Sequence, residues 1–354
     1  MTIVSRPKSR RIWKFDMEKK VKTEAAGALT DRYGRTVNYL RVSVTDRCNM
    51  RCIYCMPQSN FTQLPHEEIL KYEEILRIVK AGAMLGISKV RVTGGEPLVR
   101  KGIYDFLSRL NSIDGIEDLS LTTNGVLLKD NIERLVSTGI KRINISIDTL
   151  SREKFKKITK RDYFQNVLDG IEMAYVKGLS PIKLNVVVLK GINDEELEDF
   201  AKLTFEYPVQ IRFIEYMPVG VFHMDNSFYM SASEIIGHIS RLGHLNPVAR
   251  WQINDGPALY YKFNGAKGEI GLIAAMSHKF CKACNRLRLT AGGMIKPCLL
   301  SDRQVDIKSS LRNGCNDAEI AKNLLKAVSM KPGTHDLDVF HPDYIVQQMH
   351  AIGG

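Results

Sequence analysis

The sequence contains no uninterrupted apolar run of about 18 residues, the length that a membrane-spanning helix requires. It has no internal repeat of solenoid length and no low-complexity segment. It also lacks the HExxH motif of zinc proteases and paired carboxylates for acid–base catalysis. A Walker phosphate loop is absent as well, because the glycine-rich run at 94–97 does not lead into GK[ST]. These absences predict a soluble protein in which no side chain acts as a catalytic acid or base.

Cysteine is scarce and unevenly placed. The 354 residues include seven cysteines, six of which fall in two tight groups at 48–55 and 281–298. Disulfide frameworks are typical of small secreted domains, whereas grouped cysteines in a chain of this length are typical of metal ligands in a reducing compartment. We therefore expect a cytoplasmic protein.

Acidic residues are in deficit, because 51 lysines and arginines stand against 39 aspartates and glutamates, giving a formal net charge of +12. Many of these cations lie in residues 1–30, which we interpret as a solvated basic tail, with a transit peptide as the alternative. The excess of positive charge predicts an anionic partner, either nucleic acid or a phosphorylated small molecule. Charge alone does not choose between the two.

The first cysteine group, Cys48, Cys52 and Cys55, has three and then two intervening residues. Thiolates are the ligands of iron–sulfur clusters, and three of them leave one iron of a four-iron cubane open to a small molecule. Buried structural cysteines and a zinc site are the alternatives. Structural zinc normally has four protein ligands, and no fourth cysteine or histidine follows within this loop. We therefore predict a four-iron cluster here.

Between residues 31 and 220, strand-like segments alternate with helical ones. This order, without hairpin signals, predicts parallel β/α units with right-handed crossovers. The two further units of a closed eight-stranded barrel are not found, so we expect an α/β fold built as a partial, six-stranded, TIM-like (β/α)6 barrel. The predicted strands cover 39–45, 87–93, 116–122, 142–147, 182–189 and 209–215, and the predicted helices cover 72–85, 103–110, 132–137, 164–176 and 195–205.

Residues 221–354 differ in pattern and predict a small C-terminal α+β domain. Cys281, Cys284 and Cys298 lie here, across a hairpin that turns at 292–293. They predict a second three-thiolate cluster, and a Cys3His zinc site that includes His278 is the alternative. The predicted helices cover 233–242 and 318–328, and the predicted antiparallel strands cover 245–251, 259–263 and 270–275.

The carboxyl ends of the predicted strands should meet where β/α barrels build their sites. At 94–97, glycines permit close approach of the backbone, and the Glu96 carboxylate can accept a hydrogen bond from an ammonium group; an ordinary turn is the alternative. Arg286 and Arg288 alternate on a strand and so share one face, which suits a phosphate chain or, alternatively, a solvated stripe.

The spacing of the first cysteine group, with Tyr54 just before its third cysteine, resembles the signature of the radical S-adenosylmethionine superfamily. In that superfamily the cluster binds the methionine amine and carboxylate and cleaves the sulfonium reductively to a 5′-deoxyadenosyl radical. Over residues 32–354 the resemblance narrows to the GTP 3′,8-cyclase family of molybdenum cofactor biosynthesis. The matching segments are 41–47, 91–93, 121–125, 183–185, 212–215 and 284–288.

The resemblance implies removal of the C3′ hydrogen of GTP and bond formation to C8, giving (8S)-3′,8-cyclo-7,8-dihydroguanosine 5′-triphosphate. It implies two 4Fe-4S clusters, the second holding a donor atom of guanine. By position it assigns Cys48, Cys52 and Cys55 to the first cluster, Cys281, Cys284 and Cys298 to the second, Tyr54, Gly95, Glu96, Ser146 and Met217 to S-adenosylmethionine, and Arg41, Arg91, Thr122, Lys183, Arg286 and Arg288 to GTP.

The resemblance also implies that the C-terminal pair Gly353 and Gly354 reaches into the barrel beside the site. It implies an external flavodoxin- or ferredoxin-like electron donor and transfer of the product to cyclic pyranopterin monophosphate synthase, and it permits a homodimer. Neither a membrane nor nucleic acid is expected as a partner. The basic tail and Cys315 match nothing in the family pattern.

Two other functions remain open at the level of sequence. A radical S-adenosylmethionine enzyme that modifies peptides would share the first cysteine group, although such enzymes usually carry more cysteines downstream. An iron–sulfur or zinc protein that binds nucleic acid would explain the charge, but the chain has no recognisable nucleic-acid-binding motif.

Overall fold

The computed structural model describes residues 29–56, 63–219, 225–249, 256–335, 337 and 348–353. The basic tail predicted for residues 1–30 therefore lies almost wholly outside the described residues. None of the described helices is long and apolar enough to cross a membrane.

Six parallel strands, paired in chain order, form the centre of the sheet. Successive side chains of a strand point to opposite faces. On the second strand, Val90 and Val92 pack in the hydrophobic core, while Arg91 and Thr93 line a cavity on the other face. The predicted parallel α/β organisation is confirmed. The strands are β1 (Tyr39–Ser43), β2 (Lys89–Thr93), β3 (Asp118–Thr123), β4 (Arg142–Ser146), β5 (Ile182–Val188) and β6 (Gln210–Glu215).

Amphipathic helices connect these strands. The first buries Ile75, Ile78 and Val79 at helical spacing, and the chain leaves it through Gly86, whose φ of 94° suits glycine. The helices between β1 and β6 are α1 (Tyr72–Met84), α2 (Ile103–Asn111), α3 (Leu128–Ser137), α4 (Arg152–Thr159), α5 (Phe164–Val176) and α6 (Leu197–Glu206).

Helix α4 is an element that the sequence did not predict. It has only two large apolar residues, Phe155 and Ile158, among five charged ones, so its periodicity is weak. Its one local signal is Ser151, whose side chain caps the helix by accepting a hydrogen bond from the amide of Lys154. The packing of Phe155 and Ile158, both buried, completes the helix.

The six strands predicted between residues 31 and 220 are present, but the sheet does not end with them, because in the described part of the chain the C-terminal segments extend it to twelve strands instead of forming a separate domain. Strand β9 pairs in parallel with β6, and β10 pairs in parallel with β1, so both edges of the predicted sheet are covered. An exposed edge presents unpaired backbone groups that another strand can satisfy. The added strands are β7 (Leu245–Pro247), β8 (Leu259–Phe263), β9 (Glu269–Ile273), β10 (Arg286–Leu289), β11 (Met294–Lys296) and β12 (Val305–Asp306).

The remaining C-terminal elements are helical. The two helices predicted in this region are present as α7 (Ala232–Ile239) and α9 (Asp317–Ser329), and the short helices α8 (Lys308–Arg312) and α10 (Met349–Ile352) were not predicted. The predicted hairpin is also present, as the antiparallel pair β10 and β11. Helix α10 brings the end of the chain to the cavity, because Met349 and His350 both line it.

Candidate active site

One cavity opens at the carboxyl ends of the parallel strands, where barrel sites are expected. Residues from β1 to β6 and from the C-terminal segments line it together. Two predicted residues, Glu96 and Lys183, do not belong to the lining. The predicted residues that do line it are Arg41, Cys48, Cys52, Tyr54, Cys55, Arg91, Gly95, Thr122, Ser146, Met217, Cys281, Cys284, Arg286, Arg288 and Cys298.

The first cysteine loop follows β1 and is supported by α4. The amide of Arg51 donates to the carbonyl of Thr159 at 2.8 Å, and the amide of Ile53 donates to the carbonyl of Ile158 at 3.0 Å. These bonds fix the backbone between the cysteines, all of which face the cavity. The helix that the sequence missed is therefore a support of the predicted ligand loop.

The thiols of this loop are poorly suited to ionise alone. Burial raises the pKa of Cys48 to about 11 and that of Cys55 to about 12, and it raises the pKa of Cys52 well above its usual value. The nearby carboxylates of Glu96 and Asp148 raise these pKa values further. Three thiolates at this buried site therefore require a bound cation to offset their negative charge, and the irons of a cluster supply it. The donor set therefore fits a cluster.

Gly95 is required by the close approach of two strand ends. Its amide donates to the carbonyl of Thr45 at 2.7 Å, and a Cβ at this position would collide with the carbonyl of Arg47. The segment at 94–97 thus packs directly against the chain that leads into the cysteine loop. Gly95 itself lines the cavity, as the sequence predicted.

The Glu96 carboxylate is fully buried and bonded to the chain itself. It accepts hydrogen bonds from the hydroxyl of Thr123 at 2.8 Å, the amide of Asn124 at 2.6 Å and the amide of Leu98 at 3.0 Å. Burial raises the pKa of Glu96 to about 7, although these donors oppose the shift. Instead of facing a ligand, the carboxylate joins the end of β2 to the turn after β3.

We expect Glu96→Gln to lower the free energy of unfolding by about 1 to 3 kcal/mol, since the glutamine NH2 group would face a buried amide that needs an acceptor. Urea denaturation of the apoprotein measures this loss. The matched control is Glu153→Gln, because Glu153 is exposed on α4. Equal stability of the two variants would contradict the structural role of Glu96.

Tyr54 is positioned by the sheet. Its hydroxyl donates to Oδ2 of Asp148 at 2.7 Å, and the amide of Val187 donates to Oδ1 of the same carboxylate at 2.9 Å. Burial raises the pKa of Asp148 to about 6 against the effect of these bonds. The contact ties the aromatic residue of the cysteine loop to the ends of β4 and β5, beside the predicted residues Ser146 and Met217.

Buried arginines from neighbouring strands form a positive region of the cavity. Arg41 on β1 is in register with Arg91 on β2 and with Arg288 on β10. Burial lowers the pKa of Arg41 well below its usual value and that of Arg288 to about 10, and repulsion between the guanidinium groups adds to both shifts. Cations that are buried together favour the binding of an anion, which relieves their repulsion.

Lys183 and Arg212 extend this positive region. Arg212 on β6 lines the cavity and donates to the side-chain oxygens of Asn185 and Asn144 at 2.9 and 2.6 Å. Burial lowers the pKa of Lys183 to about 6, and Arg212 and Arg91 lower it further. Lys183 thus lies among these cations without lining the cavity, and its low pKa means that an anion bound nearby would favour its protonation.

The second cysteine group has a different electrostatic setting. Although burial raises the pKa of the Cys284 thiol, the charges of Arg286 and Lys331 outweigh it and lower the pKa to about 6. Burial raises the pKa of Cys298. Cys281, Cys284 and Cys298 all line the cavity, so this group also presents three thiols to one space.

The structure gives no support to His278 as a zinc ligand, because this residue is exposed and does not line the cavity. Among the residues with described positions, no three His, Cys, Asp or Glu side chains are close enough to hold a single metal ion. Each thiolate of a cubane binds a different iron, so the ligands of a cluster are spaced more widely than those of one ion. The second cluster stays a prediction.

The end of the chain reaches the cavity, where Met349 and His350 belong to the lining. The carbonyl of Gly353 accepts hydrogen bonds from Arg288 at 2.9 Å and Arg41 at 3.3 Å. Nδ1 of His350 lies 3.5 Å from the carbonyl of Cys55. The tail therefore contacts both the positive region and the first cysteine loop. Gly354 lies outside the described residues.

Several lining residues were not predicted as site residues. Tyr39 and Asn185 are each two residues from a predicted one, Arg41 or Lys183, so the two-residue period of a strand could have found them. His350 and Phe280 carry no local signal, because only the tertiary fold brings them to the cavity.

Two family models match the chain in succession. The Radical SAM superfamily matches residues 42–204, and Molybdenum Cofactor Synthesis C matches residues 209–337. The chain is 49% identical to the GTP 3′,8-cyclase of Thermodesulfovibrio yellowstonii over 86% of this chain and 94% of that one. It is 45% identical to the GTP 3′,8-cyclase of Pelotomaculum thermopropionicum over 92% of this chain and 100% of that one.

Among solved structures, Streptococcus suis SuiB bound to S-adenosylmethionine has a TM-score of 0.57 over 84% of this chain and 66% of that one. At 14% sequence identity this likeness shows the fold alone. The close relatives match nearly their whole length at more than 40% identity, and both family models fall within the matched region. The chain belongs to the GTP 3′,8-cyclase family of the radical S-adenosylmethionine superfamily.

Proposed function

We propose that this protein uses S-adenosylmethionine and two 4Fe-4S clusters to convert GTP to (8S)-3′,8-cyclo-7,8-dihydroguanosine 5′-triphosphate in molybdenum cofactor biosynthesis. The observation that carries the proposal is that two three-cysteine groups and a set of buried arginines face one cavity. One group would bind the cosubstrate, the other the purine, and the arginines the triphosphate. The relatives' shared name supports the same reaction.

Cys48, Cys52 and Cys55 would hold the first cluster, which when bound supplies the electron that cleaves S-adenosylmethionine to methionine and an adenosyl radical. The chain orients the cosubstrate. Gly95 allows the segment at 94–97 to pack against the backbone that leads into the cysteine loop, and the hydrogen bond to Asp148 fixes Tyr54 beside the cysteines. Ser146 and Met217 line the same cavity and complete the proposed contacts.

The positive region would bind the triphosphate, because buried guanidinium groups suit phosphate oxygens and repel one another until an anion arrives. Arg41, Arg91, Arg286 and Arg288 line the cavity, and Lys183 lies behind the lining, where a bound triphosphate would favour its protonated form. Cys281, Cys284 and Cys298 would hold the second cluster, which offers guanine an open iron. Thr122 lines the cavity and is proposed to contact GTP. Selectivity for C3′ then depends on position, since an adenosyl radical abstracts hydrogen from whatever lies closest.

The proposal also assigns a role to each of the two main segments of the chain and names the expected partners. Residues 31–220 form the radical S-adenosylmethionine partial barrel, and residues 221–354 form the segment that carries the second cluster. A flavodoxin- or ferredoxin-like donor in the cytoplasm supplies electrons, and cyclic pyranopterin monophosphate synthase takes the product; a homodimer is compatible with this organisation. Nucleic acid is disfavoured as a partner because the arginines Arg91, Arg212 and Arg288 are buried in a cavity and not spread over an exposed face.

The decisive experiment is anaerobic reconstitution followed by turnover with a reductant, S-adenosylmethionine and GTP deuterated at C3′. We expect about eight irons per chain, two cubanes of four, and transfer of the deuterium to 5′-deoxyadenosine. Iron and sulfide analysis and mass spectrometry measure both results. About four irons with one zinc would contradict the second cluster, and deuterium-free 5′-deoxyadenosine would contradict abstraction at C3′.

Arg286→Ala should weaken GTP binding about ten- to hundredfold, because a charge-assisted hydrogen bond contributes about 1.5 to 3 kcal/mol. Arg288→Ala should weaken it similarly. Equilibrium binding of GTP measures the change. Arg303→Ala is the matched control, since Arg303 is exposed nearby in the chain.

Guanosine serves as the second ligand in this test. It lacks the phosphates, so wild type and both variants should bind it equally weakly. A variant that bound GTP normally but guanosine more weakly would contradict a phosphate contact.

A further inference from the structure

Lys331 is a buried lysine whose three hydrogen bonds all converge on the second cysteine group. Its side chain is 2% exposed and follows the end of α9. Its ammonium nitrogen lies 3.3 Å from Sγ of Cys284, 2.8 Å from the carbonyl of Arg286 and 2.9 Å from the carbonyl of Pro297. An ammonium group has three N–H donors, so these three acceptors match its full capacity.

The three acceptors belong to both arms of the ligand hairpin. Cys284 and Arg286 lie at the start of β10, whereas Pro297 immediately precedes Cys298 after β11. One ammonium group therefore joins the segments that present Cys284 and Cys298.

The positive charge of Lys331 lies beside a thiol of the second cysteine group. Lysine is almost never fully buried unless it is paired with a negative charge. The hydrogen-bond acceptors described for it are two carbonyls and one sulfur, with no carboxylate among them. Cys284 would supply that negative charge when it binds iron, because a cysteine ligand of a cluster is a thiolate.

A second cation holds the same loop without touching sulfur. Arg35 donates to the carbonyl of Cys281 at 2.6 Å and to the carbonyl of Pro332 at 2.6 Å, and its guanidinium pairs with Asp31 at 2.6 Å. Arg35 thus anchors the backbone of the loop to the residue that follows Lys331. Lys331 differs because it contacts a ligand atom.

We propose that Lys331 is a positioning residue that holds Cys284 and Cys298 in place for the second cluster and donates a hydrogen bond to the Cys284 sulfur. The inference rests on the proposed second cluster. Hydrogen bonds to cluster sulfurs and nearby positive charge favour the reduced state, so they raise the reduction potential. Lys331 therefore sets the potential of the second cluster and secures its retention.

The test is an anaerobic redox titration of the two-cluster enzyme, followed by electron paramagnetic resonance and iron analysis. Lys331→Met should shift the midpoint of the second cluster to a more negative potential or lower the iron content towards half. The first cluster, recognised by its response to S-adenosylmethionine, should keep its midpoint and serve as an internal reference. Lys326→Met, which removes an exposed lysine from α9, the helix that precedes Lys331, should change neither cluster.

Lys331→Gln covers the case in which the methionine variant fails to fold, because it removes the charge but keeps two hydrogen-bond donors on a shorter side chain. It should also move the second midpoint to a more negative potential. Either variant with full iron content and a wild-type second midpoint would overturn the role of Lys331. Wild-type enzyme with about four irons and one zinc would instead overturn the second cluster itself, and with it this inference.

Discussion

Cys48→Ala is expected to abolish reductive cleavage of S-adenosylmethionine, whereas Cys298→Ala is expected to spare cleavage and abolish cyclisation of GTP. Each substitution removes one of only three thiolates, so the cluster that depends on it should be lost. The two groups lie on different segments, the loop after β1 and the β10–β11 hairpin, so loss of one should leave the other intact. Quantifying 5′-deoxyadenosine and the cyclised nucleotide in the same reaction separates the two effects.

Cys315→Ala is the matched control for both variants. Cys315 is a free cysteine of similar exposure, and it does not line the cavity. Its removal should change neither product. Full turnover of GTP by Cys298→Ala would refute the role assigned to the second group, and cleavage by Cys48→Ala would refute that of the first.

The alternating β/α elements from β1 to β6 could be predicted because their signals are local. Val90 and Val92 alternate along β2, and glycine at Gly86 ends the preceding helical stretch. The pairing of β10 with β1 could not be predicted, since Tyr39 and Arg286 are brought into register only by the tertiary fold. The alternation of apolar and polar residues within a strand does not indicate which distant strand will pair with the edge of the sheet.

The cysteines of the site could be predicted because cluster chemistry requires one residue type at a fixed spacing. The role of Glu96 could not, since its partners Thr123 and Asn124 come from another strand and use the oxygens that a ligand would need. Lys331 was missed for the same reason. A lysine is usually solvated, and only its burial against Cys284 distinguishes it from the other lysines.

Gly353 occupies a position that only glycine fits well. Its φ of 69° lies in the left-handed region, and a Cβ would stand 2.7 Å from Cγ2 of Thr93 and 3.0 Å from Cβ of Ser43. Its carbonyl joins Arg41 and Arg288, two of the arginines proposed to bind GTP. We therefore predict that the tail fixes the conformation of these arginines and carries out no chemical step itself.

We expect Gly353→Ala to slow cyclisation about tenfold or more, since the left-handed conformation costs an alanine about 1 to 2 kcal/mol and the added methyl group collides with β1 and β2. Deleting Gly353 and Gly354 should slow it further. Both variants should keep their iron and their uncoupled cleavage of S-adenosylmethionine. Gly265→Ala is the matched control, because its φ of 77° imposes a similar strain while no atom lies within 4 Å of the added carbon.

A synthetic peptide that ends in Gly-Gly should partly restore cyclisation by the truncated enzyme. The attached tail has a high effective concentration at the cavity, and the free peptide must replace it by mass action, so rescue should rise with peptide concentration and saturate. A peptide ending in Ala-Ala should not rescue, because it meets the same contacts with Thr93 and Ser43. Unchanged cyclisation by the truncated enzyme would show that the contacts of Gly353 with Arg41 and Arg288 are dispensable, and that the tail only rests in the cavity.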